Sequence, residues 1–384
     1  MTSRRFPVSF MSMVKKMILL GGRHWWLSFL LWIVLVGPVQ AATELRVAIK
    51  QGVSRVPVGS STKAIVRDSA GQEVGELEAM NAFNAQGGGS NVALGQWKSR
   101  SLWIEPTGNG YVWIGDRWYR GRTQIVPTGK GLTAVNYVNL EDYLYSVLGS
   151  EMSASWPQEA LKAQAVAARS YALYKRSTSS NSVYDVGNTT TWQVYKGLES
   201  EAQGTHLAVD ATAGQVMTYG GKVILAVFHS SSGGHTENVE DIWSDNLPYL
   251  RGVADYDMGA PVYEWTKNFS RSELSRKISG VGNVISMTPE RTTPQGRIIT
   301  MSVQGDRATR RISGNDLRSA LGLRSTLFVV NPTSNGFEVT GRGFGHGLGL
   351  SQWGAHNLAA RGINYQQILD HYYQSATLAQ IQSR

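Results

Sequence analysis

The chain contains no cysteine, which excludes thiol nucleophiles, thiolate metal ligands and disulfide staples together. It lacks the Gly-x-Ser-x-Gly elbow of a serine hydrolase, and neither G-x-G-x-x-G nor the Walker spacing occurs, so neither that triad chemistry nor a nucleotide is expected. There is no internal repeat, and no low-complexity tract lies beyond the first 41 residues. After that point no apolar run approaches the roughly twenty residues that a membrane-spanning helix needs. Acidic residues are also scarce at the start: Arg4, Arg5, Lys15, Lys16 and Arg23 precede residue 42 and no acid does. That stretch carries +5 of the formal net charge of +9, which leaves +4 on the remainder. A surplus this small, without a basic helix or a recognised binding motif, gives no reason to expect nucleic acid.

That basic beginning runs into the apolar segment Trp25–Val36, then Gly37-Pro38 and Val39-Gln40-Ala41. These are the three parts of a secretory signal, with the cut expected after Ala41. The apolar part is too short to span a bilayer, so the mature chain is expected beyond the cytoplasmic membrane, in the periplasm or cell wall. With 42% hydrophobic and 17% charged residues, the chain has the composition of a folded protein.

From Glu44 to Leu140 the sequence alternates β-formers with Gly, Pro, Asn and Asp, which predicts many short strands. Trp97, Trp103, Trp113 and Trp118 alternate within them and are expected to fill a core. Residues 141–176 then read as helical except for a linker carrying Glu151. Ser155 and Gln158 have capping-box spacing, with Pro157 in the first turn. The run Gln158–Tyr174 is rich in alanine, broken by the long polar side chains of Gln164 and Arg169. A buried helix must satisfy such groups, structurally or against a ligand. Further on, Glu201–Ala211 predicts a helix, and Gly220-Gly221 predicts a hairpin joining Gln215–Tyr219 to Val223–His229. Residues 267–339 mix short helices and strands, and Tyr365–Tyr372 reads as a terminal helix.

Three places could carry chemistry. Glu151, set among Met152, Trp156 and tyrosines, is a carboxyl whose apolar surroundings would raise its pKa toward general-acid duty. Glu141, Asp142 and Glu159 are alternatives, but each opens a helix, where acids are expected on dipole grounds. His229 and His235 flank Ser230-Ser231-Ser232-Gly233-Gly234, a small hydroxylated loop suited to hydrogen-bonding sugars; two imidazoles six apart make an incomplete metal site. The alternating glycines of Gly341–Gly349 let backbone approach a ligand or a neighbouring strand, with His346, Gln352 and Trp353 as candidate lining.

Five ordered motifs carry a resemblance: LEDYLYSVLGSEMSASWPQEALKAQAVAARSYAL (Leu140–Leu173), TTWQVYKG (Thr190–Gly197), FHSSSGGHTENVEDIW (Phe228–Trp243), LPYLRGV (Leu247–Val253) and GRGFGHGLGLSQWGAHNLAARG (Gly341–Gly362). Together they resemble the family of stage II sporulation protein D and the LytB amidase enhancer. The resemblance implies an α+β fold: a β-rich N-terminal region over 42–134, then a mixed α/β domain over 135–384 with a central groove and a variable insert at about 267–339. It implies a lytic transglycosylase that cuts the bond between N-acetylmuramic acid and N-acetylglucosamine in peptidoglycan, leaving a 1,6-anhydro product. Glu151 would be the acid; Gln164, Arg169, His229, Ser230, His346, Gln352 and Trp353 would bind the strand. Some relatives bind zinc through His and Cys in the serine loop, but without cysteine no metal or other cofactor is expected here. The implied partners are glycan strands and an N-acetylmuramoyl-L-alanine amidase. The same resemblance also admits a noncatalytic wall-binding modulator of such an amidase.

Overall fold

Alternation of inward aliphatics with outward polar residues between Glu44 and Asn139 builds two antiparallel sheets. A computed structural model of the chain describes residues 43–243 and 246–381; the predicted leader (1–41) lies outside them. In the larger sheet Glu44–Val53 pairs with Gly131–Asn139, which pairs with Arg122–Thr128, and Leu102–Pro106 comes next. The smaller is centred on Arg55–Ser60 and Ala82–Gly88. Of the four tryptophans, Trp97 packs half-buried against the core, and the other three do not fill it. Val112 and Ile114 point inward, while Trp113 between them is half-buried and meets Trp118 edge-on. Trp103 likewise lies half-buried against Tyr137, beneath the Arg122 guanidinium. The smaller aliphatics on the opposite parity took the interior.

The fold is mixed α/β, with eight α-helices among the described residues. Helix α1 spans Leu140–Glu151 and is capped by Asn139, whose side chain accepts from the Glu141 N–H. Helix α2 spans Gln158–Thr178. It begins after Pro157, and Ser155 does not cap it; the Ser155 hydroxyl pairs with Ser153 and the Gln158 amide donates to the Gly204 carbonyl. The capping box fails because the chain turns tightly over Ser153–Trp156 before the helix starts. Helix α3 spans Gln203–Ala211. At Gly149 a side chain would strike the Ser200 carbonyl, so glycine there lets the last turn of α1 approach closely.

The Gly220-Gly221 hairpin forms, but it is short: Thr218 pairs with Val223 and Tyr219 with Lys222. Phe228–His229 belongs elsewhere, as a two-residue strand parallel to Leu350–Ser351. Helix α4 (Val239–Ile242) comes after it. Residues 264–342 then form two three-stranded sheets with helices α5 (Arg271–Lys277) and α6 (Gly314–Leu321), around an apolar cluster of their own that includes Phe269, Met301, Leu317 and Val339. Helices α7 (Gln352–Ala360) and α8 (Tyr365–Tyr372) return to the main core, which runs continuously from the N-terminal strands through α1 and α2. Among the described residues no helix is long and apolar enough to cross a membrane.

Arg169 is the polar fastener of this core. Fully buried, it forms a forked pair with Glu141 (2.9 and 2.6 Å) and donates to the carbonyls of Gln215 (3.0 Å) and Val209 (3.4 Å). It thereby ties α1, α2, the end of α3 and the strand Gln215–Tyr219 together. Glu141→Ala would leave that guanidinium unpaired, and equilibrium urea unfolding should register a loss of about 3 kcal/mol. Arg169→Lys, which cannot reproduce the fork, should lose a large part of the same amount.

Candidate active site

The parallel pair Phe228–His229 and Leu350–Ser351 ends by releasing Ser230 and Gln352 side by side. The Trp353 N–H donates to the Ser230 carbonyl at 3.0 Å, and the Ser351 hydroxyl caps α7 by accepting from Gly354. Glu151, the last residue of α1 rather than part of a linker, faces this junction half-buried. Its Oε1 accepts from the Val194 N–H at 3.1 Å. The Gln352 amide approaches the carboxyl without the geometry of a full hydrogen bond, and its buried Nε2 has no other partner.

Burial raises the Glu151 carboxyl above its ordinary range; the Val194 N–H and the Gln352 amide pull the other way and are outweighed. No cation pairs with Glu151 among the described residues. The hydroxyls of Tyr143 and Tyr171 lie near enough to feel its charge. Trp156, Trp353 and His356 form a half-buried aromatic group that begins at the residue after Gln352, with ring centroids 4.6–5.1 Å apart.

The alternative acids are engaged elsewhere. Glu141 holds Arg169. Glu159 pairs with Lys162 and accepts from the Tyr365 N–H, which lowers its carboxyl. Asp142 is raised by burial, but its charged neighbours are Arg120, Glu201 and His206, at the far end of α1 from Glu151.

The other predicted site residues divide. Gln352 approaches Glu151, and the parallel pair with the Trp353 N–H to Ser230 carbonyl bond holds Ser230 and Trp353 next to Gln352. His229 is buried behind them; its Nδ1–H donates to the Leu348 carbonyl at 3.0 Å, and its buried Nε2 has no partner. Burial and the neighbouring Arg297 push it down to about 3. His346 lies 5.3 Å from it, centroid to centroid, with Nδ1 accepting from the Leu348 N–H, and is likewise held low, chiefly by burial. Gln164 is fully buried with both ends of its amide unpartnered. Arg169, about 140° further around α2, is consumed by the contacts described above and is not brought to this place. Its charge was visible in the sequence, but its partner Glu141 was assigned only a dipole role.

The serine loop is also mostly committed. Ser231 donates to Asp257 (2.5 Å) and Ser232 to Asp255 (2.6 Å), while the Gly233 and Gly234 N–H groups donate to Asp257. Burial and the adjacent Asp255 raise the Asp257 carboxyl. Of the three serines, only Ser230 keeps its hydroxyl clear of such a bond. Asp255 and Asp257, the residues that shape the loop, were overlooked; their D-x-D spacing after LPYLRGV was the available signal. A cavity of about 530 Å³ lies along the 264–342 segment, and one of about 310 Å³ lies between that segment and Gly233, Gly234, His235 and Asp255; they share Gln295, Leu327 and Arg342, and Glu151 lines neither.

A family profile described as "Stage II sporulation protein" matches residues 128–219, and one described as a domain of unknown function (DUF8618) matches 254–349. The chain is 37% identical to an uncharacterised protein of Brachyspira hyodysenteriae over 281 residues, covering 70% of this chain and 73% of that one. It is 35% identical to stage II sporulation protein D of Bacillus subtilis over 269 residues, covering 64% and 76%. Similarity to the amidase enhancer of Bacillus subtilis is 32% over 290 residues, covering 61% of this chain and 40% of that protein.

The raised carboxyl has a consequence for stability. Because Glu151 binds its proton more tightly in the folded than in the unfolded chain, stability from this group is full below the ordinary carboxyl value and falls as pH rises through the raised one. Glu151→Gln, which keeps an oxygen for the Val194 N–H, should therefore melt higher than the parent near neutral pH. The difference should vanish as pH drops below the carboxyl range, as thermal melts across pH would register.

Proposed function

Since the chain belongs to the stage II sporulation protein D (SpoIID) family, we propose that it is an exported peptidoglycan lytic transglycosylase with Glu151 as its acid and base. The observation that carries this reading is a single carboxyl, raised by burial, without a cationic partner, and approached by Gln352, the residue before Trp353 of a half-buried tryptophan pair. In this reading a glycan strand lies in a groove against Trp156 and Trp353, whose ring faces suit sugar stacking. Protonated Glu151 donates to the oxygen bridging N-acetylmuramic acid and N-acetylglucosamine, and the bond from that oxygen to C1 breaks. The muramic C6 hydroxyl closes on C1, and the carboxylate takes its proton, giving the 1,6-anhydro end and restoring the acid.

A nucleophile supplied by the substrate removes the need for the second carboxyl of an ordinary glycosidase. Asp255 and Asp257 are poor candidates for that second role, since hydroxyl and N–H donors already occupy them. Ser230 and Gln352 would hold the strand, Gln352 also steadying the carboxyl. Export follows from the basic leader and its expected cut after Ala41.

A second reading is favoured by the amidase enhancer among the relatives: the same surface would bind glycan and stimulate a partner amidase without cutting. Incubation with intact and amidase-treated sacculi separates the two. The enzyme yields anhydro-muramyl ends, reduced at least about a hundredfold in Glu151→Gln. Stimulated amidase activity with no new glycan ends would establish the modulator instead.

A further inference from the structure

The 264–342 segment meets the site through one buried cation. Arg297, fully buried, donates from Nη2 to the Ser232 carbonyl at 2.5 Å. Its Nε lies 3.4 Å from Oε1 of Glu237, which is itself 1% exposed and accepts from the Thr293 hydroxyl at 2.9 Å. The Glu237 N–H in turn donates to the Gly347 carbonyl at 2.8 Å. Gly347, at φ +82°, lies against the guanidinium, where any side chain would collide with it. Arg297 therefore touches both loops that build the site. Ser232 is two residues beyond Ser230, and Gly347 is five before Gln352.

This is an expensive way to fill space. Nε and Nη1 of Arg297 have no hydrogen-bond partner, and the Glu237 contact is long for an ion pair. Apolar side chains of similar volume in place of both Arg297 and Glu237 would pack there at lower cost. What an apolar group would not supply is a directional hold on the Ser232 backbone while the same guanidinium packs against Gly347 and faces Glu237, whose N–H holds the Gly347 carbonyl.

We propose that Arg297 is a positioning residue: from the 264–342 segment it fixes the Ser230 and Gln352 loops relative to each other and so sets the contact of Gln352 with Glu151. This rests on the role assigned to Glu151 above, and the test is arranged so that the two can fail separately. In the full chain, Arg297→Met and Arg297→Lys are compared with the parent by thermal melting, by amide exchange and by NMR titration of the Glu151 carboxyl, alongside cleavage of sacculi. The Met variant leaves the buried Glu237 without its cation and should melt lower than the parent, while exchange in 229–235 and 343–352 should quicken about tenfold or more beyond any change elsewhere in the chain. Its Glu151 midpoint should rise as the Gln352 amide moves off, and kcat should fall about a hundredfold with KM nearly unchanged. Arg297→Lys, which keeps the charge and also guards against a Met variant that fails to fold, should recover part of each effect.

Parent-like exchange in both loops, or an unmoved Glu151 midpoint, in a folded variant would overturn the proposal. If the parent cuts no glycan, the exchange and titration measurements still decide it.

Discussion

Two residues of parallel strand hold the candidate site together. Phe228–His229 and Leu350–Ser351 are separated by more than a hundred positions, yet their pairing puts Ser230 against Trp353 and brings Gln352 to Glu151. So short a ladder has little stability of its own. It persists because its surroundings over-determine it: Tyr373 donates to the Val227 carbonyl, His229 to that of Leu348, and two aspartates hold the adjoining serine loop. The glycines at 343, 345 and 349 let the second strand's approach run close against the first without side chains intervening, while Gly347 makes room for Arg297.

Half of the residues with unpartnered buried polar atoms gather at one place. Among the described residues these are Tyr119, Gln164, His229, Arg251, Arg297 and Gln352. His229, Arg297 and Gln352, three of the six, lie on or against the two loops around the parallel pair. Each unpaired group costs about 1–3 kcal/mol, and a core selected for stability alone would not concentrate them. By contrast Arg169, buried as deeply, has its fork filled by Glu141 and backbone carbonyls. That contrast separates a structural arginine from one placed at a site, a distinction burial alone does not make.

Much of this was legible in the primary structure, and the omissions have physical causes. Helices α2 and α8 and the strands before Asn139 announced themselves by composition and period. Glu151 stood out because its neighbours are apolar, and the raised carboxyl follows from that setting. The capping role of Ser155 failed because spacing does not reveal a turn that consumes the cap residue locally. Arg169 and the serines were read as ligand-binding because a polar group in an apolar or glycine-rich stretch looks the same whether its partner is substrate or protein. Those partners, Glu141, Asp255 and Asp257, lie 23 to 28 residues away in sequence, beyond any local pattern. Arg297 offered no signal at all, since its meaning depends on which loops the 264–342 segment meets.

For the proposed reaction, elimination among the titratable groups leaves one proton donor. A general acid must hold its proton near neutrality and still release it, so its pKa must sit near the working pH. His229, at about 3, is neutral there, and its one N–H is engaged by the Leu348 carbonyl. His346 is held low by burial and by His229 and Arg297. Tyr143 and Tyr171 are both driven upward, Tyr171 to about 12, too weak as acids to lead protonation of a glycosidic oxygen. Each tyrosine is raised partly by the charge on Glu151, so the groups around the site titrate as neighbours of that carboxyl. Glu151 alone among them is moved toward neutrality rather than away from it. Its driving force is desolvation with no compensating cation, the condition under which a carboxyl is most readily kept protonated and is a strong base once it has let the proton go.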